Sequence, residues 1–322
     1  MRLEKLSNNF TPLREGILFG IDTESDIPTD VLVEIVDDST NEVVAVQQLR
    51  GIVTGEVNIA PYIPDFAGYV PTTESHIHFC EAPVATYRIR IGEVISEPIS
   101  VSVNNESASA LPSLHSAMPR SRSISYGETD ELLLLGNKGA DYEVTITADT
   151  GEALYFDYLS PAGAAILCIS TEDFGTDPHS LEVDIHCDGV SLGLLHYRLR
   201  PRYNSSARVA WLSRKGSIEY YTFLVTSKAL LTSQKSCIET LKGRHLVASS
   251  SECEMTLVSR YEPRETIQAL AEMVCSSMVW LEIDDGWAEV VITSTNVEYN
   301  LFGEPDNLRV NLCIWSNKEG GR

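Results

Sequence analysis

The amino-acid sequence predicts a mostly β protein with two consecutive immunoglobulin-like β-sandwich domains, followed by an α+β domain with one helix on a sheet. Three observations support this fold class. Short segments in which every second residue is apolar recur through the first 200 positions. Turn-forming residues separate those segments. A clear helical period occurs only late in the chain, just after residue 263.

The first sandwich is predicted over residues 1–103. Its candidate strands include Ile17–Ile21, Val31–Val36 and Ala85–Ile91, and Asp37–Asn41 has the composition of a hairpin loop. About seven short strands in roughly 90 residues, with no helical period, are typical of an immunoglobulin-like sandwich.

A linker is predicted over residues 104–122, because Asn104–Ser113 is rich in small and polar side chains. Residues 123–200 then repeat the pattern of strands and turns, and predict a second, smaller sandwich. Asp188–Gly189 separates two alternating segments, Leu181–Cys187 and Val190–Tyr197. This arrangement favours a two-residue hairpin.

The C-terminal α+β domain is predicted over residues 201–322. Pro263–Cys275 is the candidate helix, since it begins with proline and has apolar residues at helical spacing. Val279–Ile283 and Trp287–Ile292 predict a hairpin around Asp284–Gly286. Together these elements indicate one helix laid on a sheet.

The charge of the chain excludes some classes of partner. The sequence has 46 acidic and 24 basic residues, which gives a net charge of −22. We therefore expect no nucleic-acid partner and no anionic membrane surface, since both would repel the chain. The sequence has no run of 18 apolar residues, and Met1–Ser7 lacks the apolar segment of a signal peptide. Folding in a reducing cytoplasm is the expectation.

The sequence offers one candidate group of metal ligands. His76, His78 and Cys80 alternate along one predicted strand and would share a face, and imidazole and thiolate are zinc ligands. The spacing places no fourth ligand, and Ile77 and Phe79 can form the buried face instead. The seven cysteines show no C-x-x-C pair. We therefore assign no metal and no cofactor, and keep a metal site at this strand as the alternative.

The sequence has no catalytic motif in a fitting context. H-E-x-x-H and G-x-x-x-x-G-K-[ST] do not occur, and the G-x-S-x-G match at Gly189–Gly193 begins in the predicted Asp188–Gly189 hairpin rather than in a strand-to-helix turn. The prediction is a protein that is not an enzyme, with no catalytic residue assigned. Because carboxylate pairs are abundant, a polysaccharide-degrading enzyme remains an alternative.

Aromatic residues gather in the third region, and most of them are expected in a core. Alternation places Tyr221 and Phe223 on one face of a strand and Tyr220 on the other. Trp211, Tyr220 and Trp287 are the candidates for interface anchors, because Trp and Tyr are favoured where protein surfaces meet.

The segment Ala210–Phe223 has the pattern W-L-x-x-x-G-x-x-x-Y-x-T-F. It resembles a pattern in tail-associated and other virion proteins of tailed bacteriophages and prophages. Pro12–Gly16 near the start of the first sandwich, and Tyr261–Pro263 before the helix, fit the same family. The pattern is aromatic and structural, and it carries no catalytic residue.

The resemblance implies a structural or assembly role in a virion tail or baseplate, in a ring or another symmetric oligomer. Other virion proteins or copies of the same chain would be the partners, and assembly would take place in the host cytoplasm. A carbohydrate- or receptor-binding β-sandwich protein is the alternative from another functional class.

Overall fold

The structure is a computed structural model of the 322-residue chain. It describes residues 1–11, 15–63, 70–101, 111–175, 178–226, 230–240, 243–284, 286–294 and 305–318. The protein is mostly β, with 57% of its residues in strands and 6% in helices. The predicted fold class is confirmed at this level.

The N-terminal part contains two sheets around one core. Their strands are β1 (Arg2–Lys5), β2 (Leu18–Asp22), β3 (Thr29–Asp37), β4 (Val43–Ile52), β5 (Thr54–Asn58), β7 (Ala85–Ile91), β8 (Val94–Ile95) and β9 (Ile99–Val101), while β6 (His78–Glu81) belongs to a sheet of the middle part. One sheet has the order β1-β2-β5, and the other has the order β4-β3-β7-β8 with β9 also on β7. Phe19, Val33 and Ile89 are fully buried in the core that the two sheets share.

The middle part also contains two sheets. Its strands are β10 (Ser113–His115), β11 (Ser121–Ser125), β12 (Thr129–Leu135), β13 (Ala140–Ala148), β14 (Ala153–Ser160), β15 (Ala164–Ser170), β16 (Ser180–Cys187) and β17 (Val190–Arg200). The sheet orders are β10-β12-β15-β6 and β11-β17-β16-β13-β14. Leu132, Tyr142 and Tyr197 are fully buried in the core between them.

The C-terminal part is one large sheet with a helix on one face. Its elements are β18 (Ser206–Leu212), β19 (Ile218–Val225), β20 (Leu230–Thr240), β21 (Gly243–Val258), α1 (Arg264–Glu272), β22 (Val279–Ile283), β23 (Gly286–Glu289), β24 (Val291–Ile292) and β25 (Arg309–Lys318). The sheet order is β23-β22-β18-β19-β21-β25-β24, with β20 on β21. Trp211, Phe223 and Leu270 pack between the sheet and α1.

Several local predictions are confirmed. The predicted helix is α1, which begins after Pro263 and continues as a 3-10 turn to Cys275. Asp188 and Gly189 form the two-residue turn between β16 and β17, both with positive φ. The hairpin of β22 and β23 also forms, with Ile283 opposite Gly286, although Asp285 lies outside the described residues.

The predicted linker over residues 104–122 differs from the structure in its second half. Residues 104–110 lie outside the described ranges, but β10 and the start of β11 fall within residues 111–122. In β11, exposed Ser121 and half-buried Ser123 alternate with buried Arg122 and Ile124. Hydrophobic patterning did not identify this strand, because its side chains are mostly small and polar and one of the buried ones is an arginine.

Strand pairing crosses the predicted boundary at residue 103. Strand β6 does not join an N-terminal sheet but pairs antiparallel with β15, with His78 opposite Cys168 and Cys80 opposite Ile166. Phe79 stacks on Tyr158 with ring centroids 5.0 Å apart. The four-segment division of the chain stays a prediction, but the middle sheets include a strand from the first segment.

Candidate functional site

The candidate site is the junction between the middle part and the face of the C-terminal sheet that does not carry α1. Strands β18 and β19 turn one face towards α1 and the other towards β12. On the second face, Ala210, Leu212 and Tyr220 are buried. Strand β12 is buried on both of its faces, because Leu132 and Leu134 enter the middle core while Leu133 and Leu135 form a second apolar cluster.

A buried ion pair crosses this junction. Arg208 Nη1 of β18 lies 2.7 Å from Glu128 Oε2, which precedes β12, and both side chains are at most 3% exposed. The Thr222 hydroxyl and the Ser125 backbone N–H also donate to Glu128, at 2.8 and 3.0 Å. Burial by itself would raise the pKa of Glu128. Arg208 and these hydrogen bonds outweigh burial and hold the pKa below its ordinary value.

A second buried group surrounds Arg122 of β11. Its Nη1 atom lies 3.2 Å from Asp130 Oδ2 and 3.8 Å from Glu219 Oε2. The Tyr197 hydroxyl donates to Asp130 at 2.7 Å, and the Ser217 hydroxyl donates to Glu219 at 2.6 Å. Burial raises the pKa of Glu219 despite the nearby guanidinium. One arginine therefore connects acids from β12 and β19.

A third set of contacts involves Glu131 of β12. The Tyr220 hydroxyl and the Thr72 backbone N–H donate to Glu131 Oε1, at 2.6 and 2.7 Å. Trp287 Nε1–H donates to the Thr72 carbonyl at 2.9 Å, and its ring meets the Tyr220 ring edge-on at 5.6 Å. The segment that precedes β6 is thus held against the C-terminal sheet.

The three candidate interface anchors make contacts within the chain. Trp211 is fully buried among the residues that pack on α1. Tyr220 and Trp287 lie at the junction, where Tyr220 is 6% exposed. Tyr221 and Phe223 lie on the face opposite to Tyr220, as alternation predicts. A role of Trp211, Tyr220 or Trp287 in binding another protein stays a prediction.

A group of potential metal ligands lies on β6 and β15. One ring nitrogen of His78 and the thiol sulfurs of Cys80 and Cys168 all lie within 4.8 Å of one another. His78 Nδ1 is 2.8 Å from the His76 carbonyl oxygen, and Nε2 is 3.2 Å from Glu74 Oε2. A hydrogen bond from Cys168 lowers the pKa of Cys80, whereas the same contact and burial raise the pKa of Cys168.

This group differs from the set suggested by sequence. His76 precedes β6, and its ring is 74% exposed and bonded to Asp173 at 2.8 Å. Cys168, which spacing along the chain did not indicate, stands opposite His78 on β15. Imidazole and thiolates can hold a borderline-soft metal ion.

An apolar cavity lies beside the buried charges. Leu133, Ile166, Leu212 and Trp280 line it from the two sides of the junction, and Glu131 also lines it. The cavity shows that the two apolar faces do not pack completely against each other.

Sequence reasoning missed the charged residues of the junction. Arg208 and Glu219 stand inside apolar segments, where a charged side chain is a signal of burial with a partner, whereas Asp130 belongs to the polar run Glu128–Glu131 and gives no such signal. In the described ranges of the chain, no helix is long and apolar enough to cross a membrane. A scan against protein-family models and a search of curated proteins found no match for this chain.

Proposed function

We propose that this protein is a non-enzymatic structural or assembly protein, built from two immunoglobulin-like sandwiches and an α+β domain. It packs through its β domains into a symmetric homo-oligomer. On the resemblance of Ala210–Phe223, we place it in the tail or virion of a bacteriophage or prophage, with other virion proteins as further partners and assembly in the host cytoplasm.

The observation that carries this proposal is the edge strand β4. It is ten residues long and pairs, among the described strands, with β3 alone. Val43, Val44 and Val46 are 43%, 40% and 51% exposed, and Leu32 on β3 is 55% exposed. Proteins normally protect long edges with charges, prolines or bulges, because the unpaired backbone groups are a template for another strand.

The pairing of β4 with β3 is irregular near both ends, at Val44 and at Arg50–Gly51, but it is regular from Ala45 to Leu49. Arg50 is the single charged residue within Val43–Ile52, and the segment has no proline. Two copies related by a two-fold axis can pair their β4 edges antiparallel and bury the exposed valines. The net charge of −22 opposes such assembly, so the oligomer is expected to strengthen as salt screens the charge.

The buried junction supports a role without catalysis. Glu128 and Glu219 are held by arginines, and Glu131 accepts hydrogen bonds from Tyr220 and Thr72. Buried acids with such partners fix one packing arrangement of two sheets.

The oligomer is tested by Val46→Lys, with mass measured by light scattering after size-exclusion chromatography. Wild type should give one discrete oligomer, and Val46→Lys a smaller species with an unchanged circular dichroism spectrum. Tyr155→Lys is the matched control, since Tyr155 is 74% exposed on β14, an edge strand of another sheet. A monomeric wild type, or equal masses for wild type and Val46→Lys, would contradict the proposal.

The virion assignment has a separate test in the genes beside the coding sequence. Capsid, portal or tape-measure genes would support it, and neighbours of unrelated function would count against it.

Exposed side chains on β14 favour carbohydrate or receptor binding as the second candidate. Tyr155 and Leu159 are 74% and 65% exposed on the same face of the strand. A stable monomer that binds a glycan on an array, and loses binding in Tyr155→Ala, would support this candidate over the structural role.

A further inference from the structure

The side chains of His78, Cys80 and Cys168 have the chemistry and the spacing of a metal site. His78 and Cys80 lie two residues apart on one face of β6, and Cys168 is the cross-strand partner of His78. Tetrahedral zinc, with bonds of about 2.0–2.3 Å, places its ligand atoms roughly 3.3–3.8 Å apart. The three ligand atoms already lie within 4.8 Å of one another, so small side-chain movements bring them to bonding distance.

The His78 ring is oriented by a backbone carbonyl. Its Nδ1 lies 2.8 Å from the His76 oxygen, a contact that places the ring proton on Nδ1. Histidine ligands of metals usually make such a bond with the nitrogen that does not bind the ion. Nε2 is then the nitrogen with a lone pair for a metal.

The Glu74 carboxylate lies beside this nitrogen, although it is outside the group of three ligand atoms that lie within 4.8 Å of one another. Its Oε2 atom lies 3.2 Å from His78 Nε2. The Glu74 side chain is 70% exposed, so the site is open to solvent on this side.

We propose that His78, Cys80 and Cys168 bind one zinc ion, and that the exposed Glu74 side chain turns in to take the fourth position. Two thiolates, an imidazole and a carboxylate suit a borderline-soft ion rather than magnesium or calcium. The ion ties β6 to β15 and thereby fastens a strand of the first segment to the middle sheets. The site does not depend on oligomer formation or on the virion assignment.

Cobalt binding tests the proposal, because cobalt reports its ligands by colour. Metal-free protein, kept reduced with a phosphine, is titrated with Co²⁺. One equivalent should give thiolate-to-cobalt absorption in the near ultraviolet and the intense visible bands of tetrahedral cobalt, and zinc should displace it. Absence of thiolate–cobalt absorption in the reduced wild type would overturn the proposal.

Variants identify the ligands. Cys80→Ser and His78→Ala should each lower zinc affinity by more than the roughly 10–100-fold typical of outer-shell changes. Cys80 is only partly buried, so Cys80→Ser should keep the wild-type fold. Cys275→Ser and His196→Ala, at exposed positions, are the matched controls and should bind zinc as wild type does.

Two further results bear on the ligand set. Glu74→Gln should weaken zinc binding while the thiolate–cobalt absorption persists, and unchanged affinity would remove Glu74 from the site. Unchanged affinity in Cys80→Ser would overturn the site as a whole.

Discussion

At the scale of single residues, Gly163 occupies a position with no room for a methyl group. It lies between β14 and β15 with φ of +83°, and an added Cβ would be 2.4 Å from the Asn137 carbonyl oxygen. The Gly163 carbonyl accepts hydrogen bonds from Gly136 N–H at 2.6 Å and from the Tyr142 hydroxyl at 2.9 Å. The backbone around it therefore cannot move aside without breaking buried contacts.

We expect Gly163→Ala to lower the free energy of unfolding by more than about 2 kcal/mol. A left-handed φ costs alanine roughly 1–2 kcal/mol, and crowding in a packed site adds about 1–3 kcal/mol. Gly189→Ala is the matched control, because its φ is +75° but an added Cβ meets nothing within 4 Å. Urea unfolding measures both variants, and equal losses would show that crowding at Gly163 has no effect.

The candidate site was only partly predictable from single residues. Alternation predicted the faces of Tyr220 and Tyr221 correctly, because packing follows the two-residue period of a strand. It could not predict that Arg208 meets Glu128 or that Cys168 meets His78. Those contacts depend on which strands pair and on their register, and both are set by residues far apart in the chain.

At the scale of elements, α1 shows which signals are local. Pro263 directly precedes its first turn, and Ile267 and Leu270 are buried against the sheet. Both signals stand within a few residues, so the sequence predicted the helix. Strands β1, β10 and β11 are short or partly polar, and they escaped prediction because pairing with distant strands, rather than local pattern, stabilises them.

The packing of α1 leads to a prediction about Leu270. This residue is fully buried, so Leu270→Ala should lower the free energy of unfolding by about 2–5 kcal/mol through lost burial and a cavity. Arg264→Ala, at an exposed position of the same helix, should change it by about 0.5 kcal/mol or less. Thermal and urea unfolding compare the two. A similar small effect for both would mean that the helix is not packed as described.

At the scale of the whole molecule, the Arg208–Glu128 pair joins the middle and C-terminal parts. Arg208→Met leaves buried Glu128 with a weaker cation, the 45% exposed Arg202 at 3.9 Å, and we expect a loss near the lower end of about 3–5 kcal/mol at neutral pH. The pKa of Glu128 is held below its reference value of 4.5 in the folded wild type. The stability that ionised Glu128 contributes is therefore present above pH 4.5 and is lost as the pH falls through the pKa of the folded state.

The loss of unfolding free energy in Arg208→Met should therefore become smaller at acidic pH, because protonated Glu128 has no charge for Arg208 to compensate. Urea unfolding at a series of pH values measures this change. Arg90→Met is the control, because the Arg90–Glu34 pair is also short, at 2.6 Å, but about 30% exposed. It should cost less than about 1 kcal/mol. A deficit of Arg208→Met that stays constant with pH would contradict the role of Glu128.

The pairing of β6 with β15 has a consequence for synthesis on the ribosome. His76 and Asp173, which meet beside these strands, are 97 residues apart. At translation rates of roughly 5–20 residues per second, β6 emerges on the order of 5–20 seconds before its partner. The other N-terminal strands are complete by Val101. The nascent chain is thus expected to carry two folded N-terminal sheets and an unpaired β6. Strand β6 can pair only after β15 has left the exit tunnel.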